Sequence, residues 1–333
     1  DPLWSRGLGD VYKRQTLRRL ALLALLPLAA LAALANDGKP VEWVVGYAPG
    51  GGSDVVARML ADAMGKSMQQ SFIVVNKPGA GANIAAEYVA RTRSPEHIVS
   101  TVDSAVLAAN PFLYGKLGYS AERDFALAGM IARFPLVLVV GPHVPAKSLP
   151  EFLAWARNAP EGTSYGSPGL GSPHHLAMEL LRSRSGLQLT HVPYRGAAPA
   201  LADVAGGQLP FMFVDTSSGG PFISTGKVRA IGVASPQRMQ SMPDLVTLAE
   251  QGLPGFEAYA WQALVVPAAT RPATVQALNK ALNLALNSAD VKARMQTLGI
   301  EPLPTTPAEA THYAAQERER WGRVIRNAHI RLD

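Results

Sequence analysis

Short apolar runs alternate with amphipathic segments along the chain from position 41 onwards. The apolar runs predict strands at Val41–Tyr47, Phe72–Val75 and Ile98–Val102, and the helical spacing of apolar residues predicts helices between them. The first helix is expected to run to Met68 from about Ser53, a candidate N-cap residue. This β-α-β-α-β order predicts parallel strands joined by right-handed crossovers.

A glycine-rich loop follows the first strand, and the same arrangement recurs in the second half of the chain. Residues 47–54 read Tyr-Ala-Pro-Gly-Gly-Gly-Ser-Asp, and residues 166–174 read Gly-Ser-Pro-Gly-Leu-Gly-Ser-Pro-His. Each copy continues into a helix, a strand and a second glycine turn, at Gly79 and at Gly196. The repeat predicts two α/β lobes, each with a loop that opens a helix N-terminus.

Two segments are expected to carry the chain between the lobes. Leu136–Val140 is apolar on both faces and reads as a buried strand entering the second lobe, and Val228–Ala234 is expected to lead back to the first. The predicted fold class is α/β, with two doubly wound domains joined by a two-crossing hinge around a central cleft. The domains are expected to comprise residues 36–135 plus 236–333, and residues 136–235.

Residues 16–35 are typical of a cleavable secretory signal peptide. Two arginines precede an apolar run of about fifteen residues, and an Ala-Leu-Ala sequence predicts cleavage after Ala35. A membrane anchor would need roughly 20 apolar residues, and Pro27 interrupts this run. We therefore expect a periplasmic protein. Residues 1–15 fit no part of such a signal, and we expect a mistranslated or foreign leader there.

Composition narrows the classes of partner. The chain has 333 residues, 48% of them hydrophobic, which is enough for two modest cores. Its formal charge is +6, but residues 1–35 hold five Lys/Arg and two Asp/Glu, so the remainder carries +3. Charge this weak and scattered argues against nucleic-acid binding. The chain has no cysteine, which excludes disulfides and lipid attachment at cysteine.

The two glycine-rich loops have the chemistry of an anion-binding site. Backbone N–H groups at a helix N-terminus donate hydrogen bonds and carry a favourable dipole, and glycines let a ligand approach closely. In the first loop the expected donors are Gly51, Gly52 and Ser53, whose hydroxyl either caps the helix or contacts the ligand. Asp54 either stabilises the first helical turn or binds a ligand amine or a water.

The second loop would face the ligand from the opposite lobe, through Ser167, Gly169 and Ser172. His174 lies in the first turn of the following helix, where it either donates to a ligand carboxylate or is structural. Together with His175 it makes a poor metal site, because neighbouring helical residues point about 100° apart and no third ligand has suitable spacing. We therefore expect no metal.

Other candidates lie at strand ends. Tyr194 can pack and donate a hydrogen bond, and Arg195 either reaches a second carboxylate or is a surface charge. Asp215 ends a buried strand where open α/β sheets bind ligands, so it either caps the next turn or contacts a ligand amine or hydroxyl. Asp103 and Ser104 end a strand of the first lobe in the same way.

Motifs of common enzymes are incomplete in this chain. The Gly-Ala-Gly turn at 79–81 has Ile84 where a dinucleotide-binding loop needs its third glycine. The loop at 50–54 lacks the lysine of a nucleotide-binding P-loop, and residues 166–168 do not match the serine hydrolase motif. The sequence therefore favours a binding protein over an enzyme, without a cofactor.

Five segments in order resemble a known family. Residues 47–54, 76–81, 192–196 and 242–252, with Trp261 ahead of a Val-Pro pair, are similar to signatures of the tripartite tricarboxylate transporter substrate-binding proteins. These proteins are also called the Bug family and are extracytoplasmic solute receptors. The similarity extends over nearly the whole chain that follows the predicted signal peptide.

The resemblance implies a two-lobed, periplasmic-binding-protein-like receptor that captures a small carboxylate and delivers it to a membrane permease. It also supports Ser167 and Ser172 as ligand-facing. A sensor or sequestering protein of the same fold, without a dedicated permease, is the alternative, and we expect a monomer. The ligand-binding residues expected from the sequence are Tyr47, Pro49, Gly51, Gly52, Ser53, Asp54, Ser104, Ser167, Gly169, Ser172, His174, Tyr194 and Asp215.

Overall fold

The computed structural model describes residues 38–159, 163–328 and 330–332. The predicted signal peptide, its cleavage site and the expected leader lie outside the described residues. Within these ranges, no helix is both long enough and apolar enough to cross a membrane. In chain order the α-helices and strands are β1 (Val41–Val45), α1 (Gly52–Met68), β2 (Phe72–Asn76), α2 (Asn83–Ala90), β3 (Ile98–Asp103), α3 (Asn110–Leu113), β4 (Phe125–Val140), α4 (Leu149–Asn158), β5 (Ser164–Ser167), α5 (Pro173–Ser185), β6 (Thr190–Pro193), α6 (Ala197–Ala205), β7 (Phe211–Asp215), α7 (Thr216–Ser224), β8 (Arg229–Val233), β9 (Tyr259–Pro267), α8 (Pro272–Asn287), α9 (Ala289–Thr297), β10 (Glu301–Pro302) and α10 (Pro307–Asn327).

Lobe 1 contains the predicted parallel unit. β1 lies between β2 and β3 and pairs with both in parallel, as expected from the β-α-β-α-β order. β9 then pairs antiparallel with β3, and residues 125–135 of β4 pair antiparallel with β9. The sheet is therefore mixed, with its parallel strands carrying the first glycine-rich loop.

Lobe 2 repeats the plan with the strands β5 to β8. β5 pairs in parallel with β6 and β7, while residues 136–140 of β4 pair antiparallel with β7 and β8. The segment expected to lead back to lobe 1, Val228–Ala234, contains β8, which pairs with β4 in the second sheet. The next strand along the chain, β9, belongs to the first sheet.

A single strand joins the two sheets. β4 is 16 residues long, although the sequence predicted only its second part, Leu136–Val140. The apolar run in the first part of β4 is interrupted by Gly129, Arg133 and Pro135. This part of the strand pairs with β9 through two register shifts, one on each side of Met130. The strand changes partners after Pro135, so the crossing between lobes is a continuous piece of sheet.

Two histidines stack inside lobe 2, behind its glycine-rich loop. The rings of His175 and His191 are nearly parallel with centroids 3.9 Å apart, and Tyr165 stacks on His191 at 4.9 Å. Burial, with a further contribution from Arg182, lowers the pKa of His175 to about 4. Burial and the neighbouring His175 lower the pKa of His191 to about 3. Both rings are therefore neutral at neutral pH.

We expect acid to destabilise the protein between about pH 6.5 and pH 4 through these histidines. An unfolded histidine has a pKa of about 6.5, so in this range the unfolded chain binds protons that the folded chain does not. The free energy of unfolding then falls by up to about 1.4 kcal/mol per pH unit for each histidine, and above about pH 6.5 neither ring contributes a pH dependence.

Urea denaturation across this pH range measures the effect. The variant His191→Phe keeps a flat ring in the stack and should show a shallower acid slope than the unmodified protein. His143 is exposed, and His143→Gln serves as the control that should leave the slope unchanged. Equal slopes in all three proteins would contradict the assignment.

Candidate functional site

The N-terminus of α1, in lobe 1, lies against the N-terminus of α7, in lobe 2. A Cβ atom at Gly52 would lie 2.8 Å from the Ser217 hydroxyl oxygen and 3.7 Å from a ring carbon of Phe134. At Gly51 only the Ala48 carbonyl oxygen is within 4 Å, at 3.7 Å. Glycine is therefore needed at position 52 because the other lobe approaches the backbone closely there.

Asp54 holds the first glycine-rich loop in place. Its buried carboxylate accepts hydrogen bonds from Gly50 N at 2.9 Å, Asn76 Nδ2 at 2.9 Å and Arg58 Nε at 3.0 Å. Burial acts to raise the pKa of Asp54, but these bonds outweigh it and lower the pKa overall. Of the two roles left open by the sequence, these contacts supply the structural one.

Of the two roles that the sequence leaves open for Ser53, the helix cap is not the one found in the structure. The N-cap is Gly51, which has extended backbone and no side-chain hydrogen bond, and Ser53 lies inside the first turn. Because the Asp54 carboxylate already fixes the loop, the helix does not need a hydroxyl cap. The Ser53 oxygen instead accepts a hydrogen bond from Gln262 Nε2 at 2.5 Å.

Gln262 is a site residue that the sequence analysis missed. It lies in β9 opposite Asp103 of β3, is buried, and links α1 to the end of the first sheet. A polar residue inside the buried β9 was the available signal.

Tyr47 donates a hydrogen bond to Asp103 at the end of β3. Burial raises the pKa of Asp103. Burial, and after it the charge of Asp103, raise the pKa of Tyr47.

Asp215 organises the facing part of lobe 2. It is the N-cap of α7, a helix missed in the sequence because its glycines and proline resemble a loop, and accepts from Ser218 N at 2.9 Å. The hydroxyls of Ser217 and Ser218 also donate to it, and His174 Nε2 lies 3.3 Å from its Oδ2. Burial acts to raise the pKa of Asp215, but His174 and these donors lower it to about 2.

These contacts define what we call the interlobe cluster. It joins residues of α1 and β9 in lobe 1 to residues at the starts of α5 and α7 in lobe 2. Two of its buried polar atoms, His174 Nδ1 and Gln262 Oε1, have no hydrogen-bond partner among the described residues, and neither does Ser104 Oγ, which lies outside the cluster directly after Asp103. Unpartnered buried polar atoms are uncommon and mark places where a ligand or water can bind. The interlobe cluster consists of Gly52, Ser53, Gln262, His174, Asp215 and Ser217.

A second contact between the lobes involves α3 of lobe 1, which lies close to the glycine turns at Gly81 in lobe 1 and Gly171 in lobe 2. Asn110 Nδ2 donates to the Gly81 carbonyl at 3.0 Å. Cβ atoms at Gly81 and Gly171 would lie 3.9 Å and 3.8 Å from Asn110 Oδ1, and one at Gly171 would lie 2.4 Å from Leu113 Cδ1. The glycine turns of the two lobes therefore lie close together.

The serines of the second glycine-rich loop already have partners within lobe 2. Ser167 is fully buried, and its hydroxyl contacts His191 Nε2 at 2.6 Å and the Gly169 backbone. Ser172 is the N-cap of α5 and accepts from His175 N at 3.3 Å. They shape the loop, while His174 is the residue of this loop and helix that reaches the interlobe cluster.

Three of the other residues considered from the sequence do not join this cluster. The Tyr194 hydroxyl donates to Asp203 Oδ2 at 2.5 Å, within lobe 2, and burial with this bond raises the pKa of Tyr194 to about 12. Pro49 and Arg195 are exposed. Among the described residues, no group of three or more His, Cys, Asp or Glu side chains could hold a metal ion.

The interlobe cluster presents backbone donors and a few polar side chains. The N-termini of α1 and α7 bring N–H groups and positive dipole ends to it from opposite lobes. It pairs the one negative side chain, Asp215, with His174. This chemistry suits a ligand that carries both hydrogen-bond acceptors and donors.

Comparisons with known proteins agree with this description. The profile of the Tripartite tricarboxylate transporter family receptor matches residues 56–330. Protein BugT of Bordetella pertussis is 31% identical over 295 residues, which cover 88% of this chain and 90% of BugT.

Two similar solved structures contain carboxylates. The R. palustris protein Rpa4515 with adipate has a TM-score of 0.85 and 31% identity, covering 89% of this chain and 99% of its own. MatC from Rhodopseudomonas palustris with bound malate has a TM-score of 0.80 and 30% identity, covering 87% and 100%. Profile, relative and structures all span most of the chain. The protein therefore belongs to the tripartite tricarboxylate transporter receptor family, the periplasmic solute-binding receptors that include the Bug proteins.

Proposed function

We propose that this protein is a periplasmic receptor that closes over a small carboxylate and delivers it to a membrane permease of the tripartite tricarboxylate type. The carboxylate would bind at the interlobe cluster, between the N-termini of α1 and α7. Dicarboxylates are the first class to test, because the similar structures hold adipate and malate. The protein would act by binding and release, without catalysis.

The observation that carries the proposal is the close approach of the two lobes at Gly52 and Ser217. A ligand at this place would touch both lobes and so stabilise the closed arrangement. The unpartnered Gln262 Oε1 and His174 Nδ1 add polar groups that a ligand would satisfy. Closure would in turn give the permease a liganded shape to recognise.

The hinge would coincide with the crossings between the sheets. We propose that the described part of residues 36–135 moves as one body and that the first crossing follows Pro135, where β4 changes partners. For the return, the segment after β8 packs on lobe 2, since Met239 belongs to the hydrophobic cluster of that lobe. This packing supports a second crossing after Met239 and before β9, later than the boundary at residue 236 that the sequence suggests.

A ligand screen tests the binding function, and Ser53→Ala tests the site. Small mono-, di- and tricarboxylates are screened by thermal shift and the best is measured by calorimetry. Loss of the Ser53 hydroxyl should weaken binding by about 1–2 kcal/mol, the scale of one hydrogen bond to a charged group, or about 5- to 30-fold.

Ser67→Ala, at the far end of α1, is the matched control and should bind normally, because Ser67 bonds only within its helix. Equal affinities of the Ser53 variant and the unmodified protein would remove this hydroxyl from the site. Deleting the tripartite-type permease genes of the source cell should abolish uptake of the ligand. Unchanged uptake would favour a sensor or sequestering role.

A further inference from the structure

A groove of about 630 Å³ lies where the lobes join, and none of the residues of the interlobe cluster lines it. One wall is the segment after β8, which packs on lobe 2, and the other is formed by α9, β10 and neighbouring residues of lobe 1. The volume is within the range of small-molecule sites. The lining residues are Arg133, Pro236, Gln237, Arg238, Met239, Gln240, Ser241, Tyr259, Lys292, Gln296, Gly299, Ile300, Glu301 and Pro302.

The groove is positively charged. Three of its residues, Arg133, Arg238 and Lys292, are cationic, and only Glu301 is acidic. Arg133 Nη2 pairs with Glu301 at 2.9 Å, which leaves two cations without an acidic partner inside the groove. Arg238 is paired through its Nε and Nη2 with Glu250, which does not line the groove, while Lys292 is exposed and has no ion pair among the described side chains.

One wall also contains an unsatisfied donor. Arg133 stacks its guanidinium on the Tyr259 ring, 4.6 Å from the centroid, and its buried Nε has no hydrogen-bond partner in the described part of the chain. Guanidinium and ammonium groups bind carboxylate and phosphate oxygens more readily than other ligands. Apolar walls with a few convergent donors are typical of small-molecule sites.

We propose that this hinge groove is a second anion-binding site, which takes a small oxyanion carrying two or more carboxylate or phosphate groups. Lys292 and Arg238 would contact it from opposite lobes, and Arg133 would donate from the base of the groove. Because both lobes contribute, an anion bound there holds them in the arrangement of this structure.

The groove is connected to the interlobe cluster through Thr216. Its hydroxyl donates across the lobes to the carbonyls of Leu298 and Gly299, at 3.1 Å and 2.9 Å. A Cβ at Gly299 would lie 2.4 Å from Thr216 Oγ1 and 3.2 Å from the hydroxyl of Ser241, which lines the groove. Thr216 directly follows Asp215, so an anion in the groove and a ligand in the cluster favour the same closed contact. This coupling rests on the proposed function, whereas anion binding in the groove does not.

Charge reversal at matched positions of α9 tests the site. Citrate and pyrophosphate are titrated by calorimetry at about 0.15 M salt against the unmodified protein, Lys292→Glu and the control Arg294→Glu. Arg294 lies on the same helix outside the groove, near Asp290. At least one anion should bind the unmodified protein and Arg294→Glu alike and bind Lys292→Glu at least tenfold more weakly, with unchanged melting temperatures for both variants.

The two anions distinguish a carboxylate ligand from a phosphate ligand. Absence of binding by both anions, or an equal loss in the two variants, would overturn the proposal, since the second result means only general charge repulsion. Ser53→Ala should keep groove binding, which separates this site from the interlobe cluster. If no carboxylate binds at the cluster while Lys292 still controls anion binding, the proposed function fails and the groove site stands.

Discussion

Gly52→Val should be the substitution that weakens ligand binding most. The first added carbon would lie 2.8 Å from the Ser217 hydroxyl oxygen of the opposite lobe, and the rest of the side chain would reach toward Phe134. Overpacking of this kind costs roughly 1–3 kcal/mol. Because this crowding exists only when the lobes meet, the substitution would destabilise the closed state alone.

The expected loss of affinity is therefore roughly 5- to 150-fold, with little change in the melting temperature of the unliganded protein. Calorimetry with the carboxylate found in the screen measures it, and small-angle scattering should show a smaller ligand-induced compaction. Gly51→Val is the matched control, because the backbone at Gly51 is extended with φ −77° and ψ 167° and a Cβ there would make only an ordinary contact, 3.7 Å from the Ala48 carbonyl oxygen. Equal affinities of the two variants would show that closure does not bring Gly52 to Ser217.

The contrast between these neighbours shows what the sequence could predict. The glycine-rich loop, the strand before it and the helix after it follow from local patterns, and all of them are present. The sequence could not rank Gly51 against Gly52, because the difference comes from a side chain on another lobe, 165 positions away from Gly52 at Ser217.

Residues of the interlobe cluster that the sequence missed share this origin. Gln262 stands alone as a polar residue in a buried strand, and only the pairing of β9 with β3 brings it to Ser53. Ser217 lies in α7, which helix propensities do not predict because the segment contains Gly219 and Pro221. The Asp215 carboxylate caps the start of α7. The signal available in the sequence was therefore Asp215 itself, for which a capping role and a ligand contact were both open.

Two hydrogen-bonded carboxylates stabilise the loops of the site. Asp54 fixes the loop before α1 through Gly50 and Asn76, and Asp215 fixes the start of α7. In each lobe, side-chain bonds set the loop geometry and leave other groups free for a ligand. A rigid supporting layer of this kind keeps the donors in place before the ligand arrives.

Asp215→Ala should cause the largest loss of stability among single substitutions at the site. It removes the N-cap of α7 and leaves His174 buried without its partner. Breaking a buried, hydrogen-bonded pair in this way costs about 3–5 kcal/mol in the free energy of unfolding. Asp215→Asn should lose less, because an amide oxygen can still accept from Ser218 N.

Urea denaturation at neutral pH measures the loss, and Asp290→Ala is the control. Asp290 also lies in a first helical turn, but it is exposed and 3.8 Å from its nearest cation, so its removal should cost less than about 0.5 kcal/mol. A loss below about 1 kcal/mol in Asp215→Ala would contradict the assigned role.

The pH dependence gives an independent check. Since the folded pKa of Asp215 is about 2 and an unfolded aspartate titrates near 3.9, its contribution is present above about pH 4 and is lost as the pH falls toward 2. The alanine variant should lack this part of the acid transition and keep the part between pH 6.5 and 4 that comes from His175 and His191. Two separate acid transitions would show that the capped helix and the stacked histidines contribute independently to the free energy of unfolding.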